Sequence, residues 1–188
     1  MDYRSEIDAA LSNQDPIPKD KVLLWIESAK ELPTLAKLYR LTDEGYYRID
    51  PELGKIATCS LIQHYLLECI RQDVADSEEI EGRWEAAQSL HSWFRHLVEM
   101  NDTSEILNGA THAVTELFLI SGEEIRIAIE QGFLEHALET AALRPYFEYW
   151  STDARLRETW SRALKWGKAH PDFTWGLLQE LRRKMEQE

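Results

Sequence analysis

Glycine and proline, the residues that most often interrupt regular structure, are scarce in this sequence of 188 residues, with 8 and 6 copies. Most of them fall between segments whose apolar residues recur every three or four positions. No pair of alternating segments joined by a tight turn is found, which argues against a β-rich fold. The pattern predicts an all-α protein of about eight helices, packed as antiparallel hairpins in a bundle or a short solenoid-like array.

Long hydrophobic runs are also lacking. No apolar run approaches the roughly 20 residues of a membrane-spanning helix, and the first residues lack the basic start and apolar stretch of a signal peptide. We therefore expect a cytoplasmic protein with no membrane partner. The length fits one domain over residues 1–188, with a subdivision near 73–80 as the alternative.

Cysteine is rare as well, and the two copies, Cys59 and Cys69, fall in one predicted helix, Pro51–Gln72. Ten residues of helix separate them by roughly 15 Å, which is too far for a disulfide. We expect both to be buried thiols, in keeping with a reducing compartment.

Motifs that carry chemistry are missing. The sequence has no His-Glu-x-x-His or Glu-x-x-His pattern, no nucleophile elbow and neither phosphate-binding glycine loop. His64 lies five positions from each cysteine, which places the three side chains on diverging helix faces. We expect no catalytic residue, no metal and no cofactor, and hence a protein that is not an enzyme.

Paired carboxylates leave two interpretations. Glu135 and Glu139 lie one helical turn apart, and acid–base catalysis would need environments that push their pKa values apart. A solvated acidic face is the simpler interpretation, because like charges at this spacing cost only a few tenths of a kcal/mol. Glu123 and Glu124 begin a predicted helix that runs to about Leu143, where the helix dipole favours acidic residues.

Tryptophan, in contrast, is abundant, with seven copies. Four of them lie in the last 39 positions: Trp150, Trp160, Trp166 and Trp175. A core built from large side chains and an exposed binding surface are both open interpretations, since tryptophan, tyrosine and arginine dominate interface hot spots. Trp150 and its neighbour Tyr149 are the best candidates for exposure.

Charge is strongly one-sided. The net charge is −13, and residues 51–150 carry 18 acidic and 6 basic side chains. Such a surface repels phosphate backbones, so we expect no nucleic-acid partner. It would steer a basic protein towards itself and speed association.

Two resemblances point the same way. The hairpin Thr111–Ala142, with Glu124–Leu134 as its second half, resembles an armadillo or HEAT repeat unit. The glutamate-rich stretch through Phe133-Leu134-Glu135, together with Trp160 to Trp166, resembles uncharacterised bacterial all-helical immunity proteins that neutralise secreted toxins. The resemblance implies a protein partner and assigns a role to no individual residue.

The leading hypothesis is a non-catalytic acidic helical interaction module, with an immunity or antitoxin protein that neutralises a basic partner as its most concrete version. The alternatives are an enzyme or small-ligand binder with a pocket between helices, and a homo-oligomeric scaffold or regulator. The predicted partner contacts are Glu78, Glu79, Glu123, Glu124, Glu130, Tyr149 and Trp150.

Overall fold

The computed structural model of the chain describes residues 3–74, 80–100 and 102–170. Helices dominate these residues, and the strands among them are two residues long, so the all-α prediction is confirmed. The chain divides into two compact units, unit 1 (residues 1–86) and unit 2 (residues 87–188). The single-domain organisation stays a prediction. Each helix in the described ranges is too short or too polar to span a bilayer.

Unit 1 consists of helices and one minimal sheet. Its elements are α1 (Arg4–Ser12), β1 (Ile17–Pro18), α2 (Lys19–Ser28), α3 (Leu32–Glu44), a 3-10 turn (Tyr46–Arg48), β2 (Ile49–Asp50), α4 (Lys55–Gln72) and the start of α5 (Arg83–Glu99). The two strands pair in parallel, with Ile17 opposite Ile49.

Helix α4 forms part of the core of unit 1, as its broad apolar stripe predicts. Its buried side chains include Leu61, Tyr65 and Leu66, and Tyr65 stacks on Tyr39 of α3 with 4.4 Å between ring centroids. The helix begins at Lys55 rather than at the predicted Pro51, because Gly54 has a φ of 87° and takes the preceding chain outside helical geometry.

The cysteines of α4 are buried free thiols, which confirms their predicted state. Burial raises the pKa of the Cys59 thiol, and it raises that of Cys69 to about 12. Both groups therefore stay protonated and poorly nucleophilic at neutral pH.

Unit 2 is a series of helices of changing type. Its elements are the remainder of α5, α6 (Ser104–Ile120), α7 (Glu123–Ile127), a π-helical segment (Ala128–Leu134), α8 (Glu135–Ala137), a 3-10 turn (Ala141–Leu143), α9 (Arg144–Phe147), a second 3-10 turn (Glu148–Ser151) and α10 (Arg157–Ala169).

The helix predicted to run to Leu143 ends early, at Ala137. Two contacts explain this end. Arg144 donates from Nε to the carbonyl oxygen of Leu138 at 2.8 Å, which satisfies a group that the helix leaves open. Gly167 of α10 also packs so closely that a Cβ there would lie 2.6 Å from the same oxygen.

Candidate partner-binding surface

Trp150, one of the predicted contacts, is fully buried, so the expectation that it is exposed is wrong. Its indole N–H donates to the hydroxyl of Thr115 on α6 at 2.9 Å. Its ring packs against Phe118 and Phe147, with centroids 5.1 and 6.0 Å away. The apolar ring and its one polar atom are both satisfied inside unit 2, which explains the burial.

Tyr149 remains at the surface, 37% exposed. Its hydroxyl lies 2.5 Å from that of Thr115, and its ring lies against His112, with centroids 5.5 Å apart. The Thr115 hydroxyl donates to the carbonyl of Thr111, so its lone pairs are available to Tyr149 and Trp150. The hydroxyl of Thr115 is thus within hydrogen-bond distance of a buried residue, Trp150, and of a partly exposed one, Tyr149.

The tryptophans of α10 also differ in exposure. Trp160 is buried, whereas Trp166 is 40% exposed and stacks on His170 with centroids 4.0 Å apart. Trp175 lies outside the described residues. The core and surface interpretations therefore each hold for part of this group.

Helix α6 presents one exposed face beside Tyr149. Its members are spaced three or four positions apart: Glu105, Asn108, His112, Glu116 and Ile120. Ile120, at the end of the helix, is 82% exposed. Glu116 makes no ion pair within the described ranges. In the sequence, the signal for this face is that polar residues recur every three or four positions, while Val114 and Phe118 belong to the buried side of the helix.

Glu123 and Glu124 continue this face across the turn into α7. Both are exposed in the first turn of α7, where the helix dipole favours negative charge. Arg126, the basic residue nearby, is held against α6, because it donates to two carbonyl oxygens at the end of that helix at 3.0 and 3.1 Å. Three exposed carboxylates, those of Glu116, Glu123 and Glu124, therefore lie within four positions of the exposed Ile120 in the sequence.

We call this surface the α6–α7 face. Its residues are His112, Glu116, Ile120, Glu123, Glu124 and Tyr149.

Glu130, another predicted contact, has a partner inside unit 2. Its carboxylate makes a two-point ion pair with Arg162 of α10 at 2.7 and 2.8 Å, and its side chain is 13% exposed. The hydrogen bonds that Arg162 donates to Glu130 raise the pKa of Arg162. This geometry joins the π-helical segment to α10, while a role in binding stays a prediction. Glu78 and Glu79 lie outside the described residues.

The carboxylates considered for acid–base chemistry occupy different environments. Burial, followed by the nearby charge of Glu130, raises the pKa of Glu135. Glu139 lies 2.9 Å from Nδ1 of His136, whose ring is 5.7 Å from that of His91. Across the part of the chain that the structure describes, no three His, Cys, Asp or Glu side chains are grouped to hold a metal ion.

Unit 1 contains a half-open cavity of about 720 Å³. Its wall includes Leu24, Trp25, Glu27 and Glu31, and no histidine or cysteine lines it. The indole N–H of Trp25 has no partner among the described groups, but this atom is itself inaccessible to solvent. The cavity therefore offers space with polar side chains in its wall, Lys30 among them, but with no histidine or cysteine.

Comparison with known protein families, with curated proteins and with solved structures finds no match for this chain.

Proposed function

We propose that the protein is a non-catalytic interaction module that binds a basic protein partner through the α6–α7 face. The observation that carries this proposal is the exposed Ile120, with exposed Glu116 four positions before it on α6 and exposed Glu123 and Glu124 in the first turn of α7. An apolar centre with a charged rim is the usual composition of a protein interface. The most concrete version is an immunity-type protein that occludes a basic toxin.

The local charge supports a basic partner. Residues 101–150 carry nine acidic and two basic side chains. The guanidinium groups of both basic residues, Arg126 and Arg144, donate to carbonyl oxygens at helix ends. The acidic excess of this region favours fast encounter with a basic partner.

The small-ligand alternative has the cavity in unit 1 in its favour. The cavity supplies volume, but the carboxylate of Glu31 in its wall is already ion-paired with Arg4. A specific ligand site needs a few polar groups that converge on the ligand. The interaction module is therefore the better-supported proposal.

Affinity capture from the native host tests the proposal with a matched pair of variants. The bait is the full chain, compared with Glu123→Lys/Glu124→Lys and with Asp20→Lys/Glu27→Lys. The second variant makes the same charge change at exposed positions of unit 1, one of them again in a first helical turn.

We expect the native chain and the unit 1 variant to capture the same basic protein, with capture weakening as salt is added. Glu123→Lys/Glu124→Lys should fail to capture this protein. Equal capture by all three chains, or capture that does not weaken as salt is added, would contradict the proposal.

A further inference from the structure

One end of the α6–α7 face combines an aromatic pair with a carboxylate. The rings of Tyr149 and His112 lie 5.5 Å apart, and Glu116 follows His112 by one helical turn, a rise of about 6 Å. All three side chains are exposed. A flat ring and a carboxylate that are both exposed to solvent are the two features that recognise an arginine side chain.

The Tyr149 ring is fixed before any partner arrives. Its hydroxyl is bonded to Thr115, and the next residue, Trp150, is buried in the core of unit 2. A tyrosine has two side-chain torsions, so a fixed ring presents a large contact area at little further cost in conformational entropy. This favours recognition of a flat group that stacks on the ring.

From these observations we propose that Tyr149, His112 and Glu116 form a site for an arginine side chain of the partner. This inference rests on the proposed function, because it specifies the partner chemistry of the same face. The guanidinium stacks on the Tyr149 ring and donates two N–H groups to the Glu116 carboxylate. A lysine ammonium is a point charge that can neither stack in this way nor bind in a two-point geometry.

Two labelled peptides of equal length and charge, poly-arginine and poly-lysine, are the probes. Their affinity for the full chain is measured by fluorescence anisotropy. We expect the native chain to bind the arginine peptide about fivefold more tightly than the lysine peptide, in line with a stacked guanidinium.

Three variants test which residues cause the preference for the arginine peptide. Tyr149→Leu should abolish it by removing the ring, and Glu116→Gln should reduce it by removing the charge. Tyr47→Leu is the control, because Tyr47 is 77% exposed and lies in unit 1. This control should keep the full preference. Glu116 is exposed on the helix surface, so its variant remains informative if Tyr149→Leu fails to fold.

Each outcome decides between the two proposals. A preference that Tyr149→Leu and Glu116→Gln remove and Tyr47→Leu keeps supports the arginine site. Equal binding of both peptides to the native chain overturns the arginine site and leaves the basic-partner proposal standing. No binding of either peptide overturns both.

Discussion

At the scale of single residues, Thr115 organises the candidate surface. Its hydroxyl lies within hydrogen-bond distance of both Trp150 and Tyr149, which are adjacent in the sequence but differ in burial. Both contacts come from a threonine about 35 positions earlier in the chain. Local patterns carry no information on such a contact, so the sequence identifies Tyr149 as a surface residue and misplaces Trp150.

Thr115→Val tests this arrangement, because valine keeps the shape and removes the hydroxyl. The buried indole N–H of Trp150 would lose its acceptor, and we expect the free energy of unfolding to fall by about 1–3 kcal/mol. Chemical denaturation measures the change. The matched control is Thr111→Val, whose lost hydroxyl donates only within its own helix, to Leu107. Equal losses in the two variants would contradict the role assigned to Thr115.

Gly167 is the second residue considered at this scale, and its role is steric. A Cβ at this position would lie 2.5–2.8 Å from backbone atoms of Leu138 and Glu139, which cannot yield as a flexible side chain can. We expect Gly167→Ala to lower the free energy of unfolding by about 1–3 kcal/mol through overpacking.

Gly109→Ala provides the control, measured in the same denaturation experiment. A Cβ at Gly109 would meet no described atom within 4 Å, and the residue lies inside α6. Alanine should stabilise that helix by up to about 1 kcal/mol. A stabilising Gly167→Ala would show that α10 does not pack closely on this part of unit 2.

At the scale of elements, the π-helical segment is the main difference between the predicted helix and the observed one. Apolar periodicity predicts one helix from Glu123 to about Leu143, and the segment Ala128–Leu134 instead has i→i+5 geometry. This geometry brings residues five apart closer together than an α-helix does, which is consistent with the charge of Glu130 acting on Glu135. The sequence could predict that a helix exists here, but its end lies where Arg144 and Gly167 of α10 contact the backbone of Leu138.

Glu135→Gln tests the electrostatics of this segment. Burial and Glu130 raise the pKa of Glu135 in the folded protein, so its ionised form destabilises the fold at neutral pH. The glutamine variant should be more stable by a few tenths of a kcal/mol at neutral pH.

That advantage should disappear in acid. Below the pKa values of both the folded and unfolded states, Glu135 is protonated and carries no charge penalty. Thermal unfolding of the native chain and of Glu135→Gln, from neutral pH into acid, measures the difference in stability. A glutamine variant that is less stable at neutral pH would indicate that the ionised carboxylate is stabilised in the fold.

At the scale of the whole molecule, composition and charge carry the most information. The scarcity of glycine and proline and the helical periodicity suffice to predict the all-α fold, because most helices here follow their own apolar stripes. The acidic excess in residues 51–150 is the basis on which a basic partner is proposed. The α6–α7 face could be predicted only in part, since the exposure of Ile120 depends on how the end of α6 is packed.

The most direct test of the basic-partner proposal is the association rate constant between the captured partner and the full chain, measured by stopped-flow at low salt. We predict that Glu123→Lys/Glu124→Lys lowers this rate about tenfold or more, while Asp20→Lys/Glu27→Lys leaves it within about twofold of native. The difference should shrink as salt is added. Equal rates for the two variants at low salt would contradict binding through the α6–α7 face.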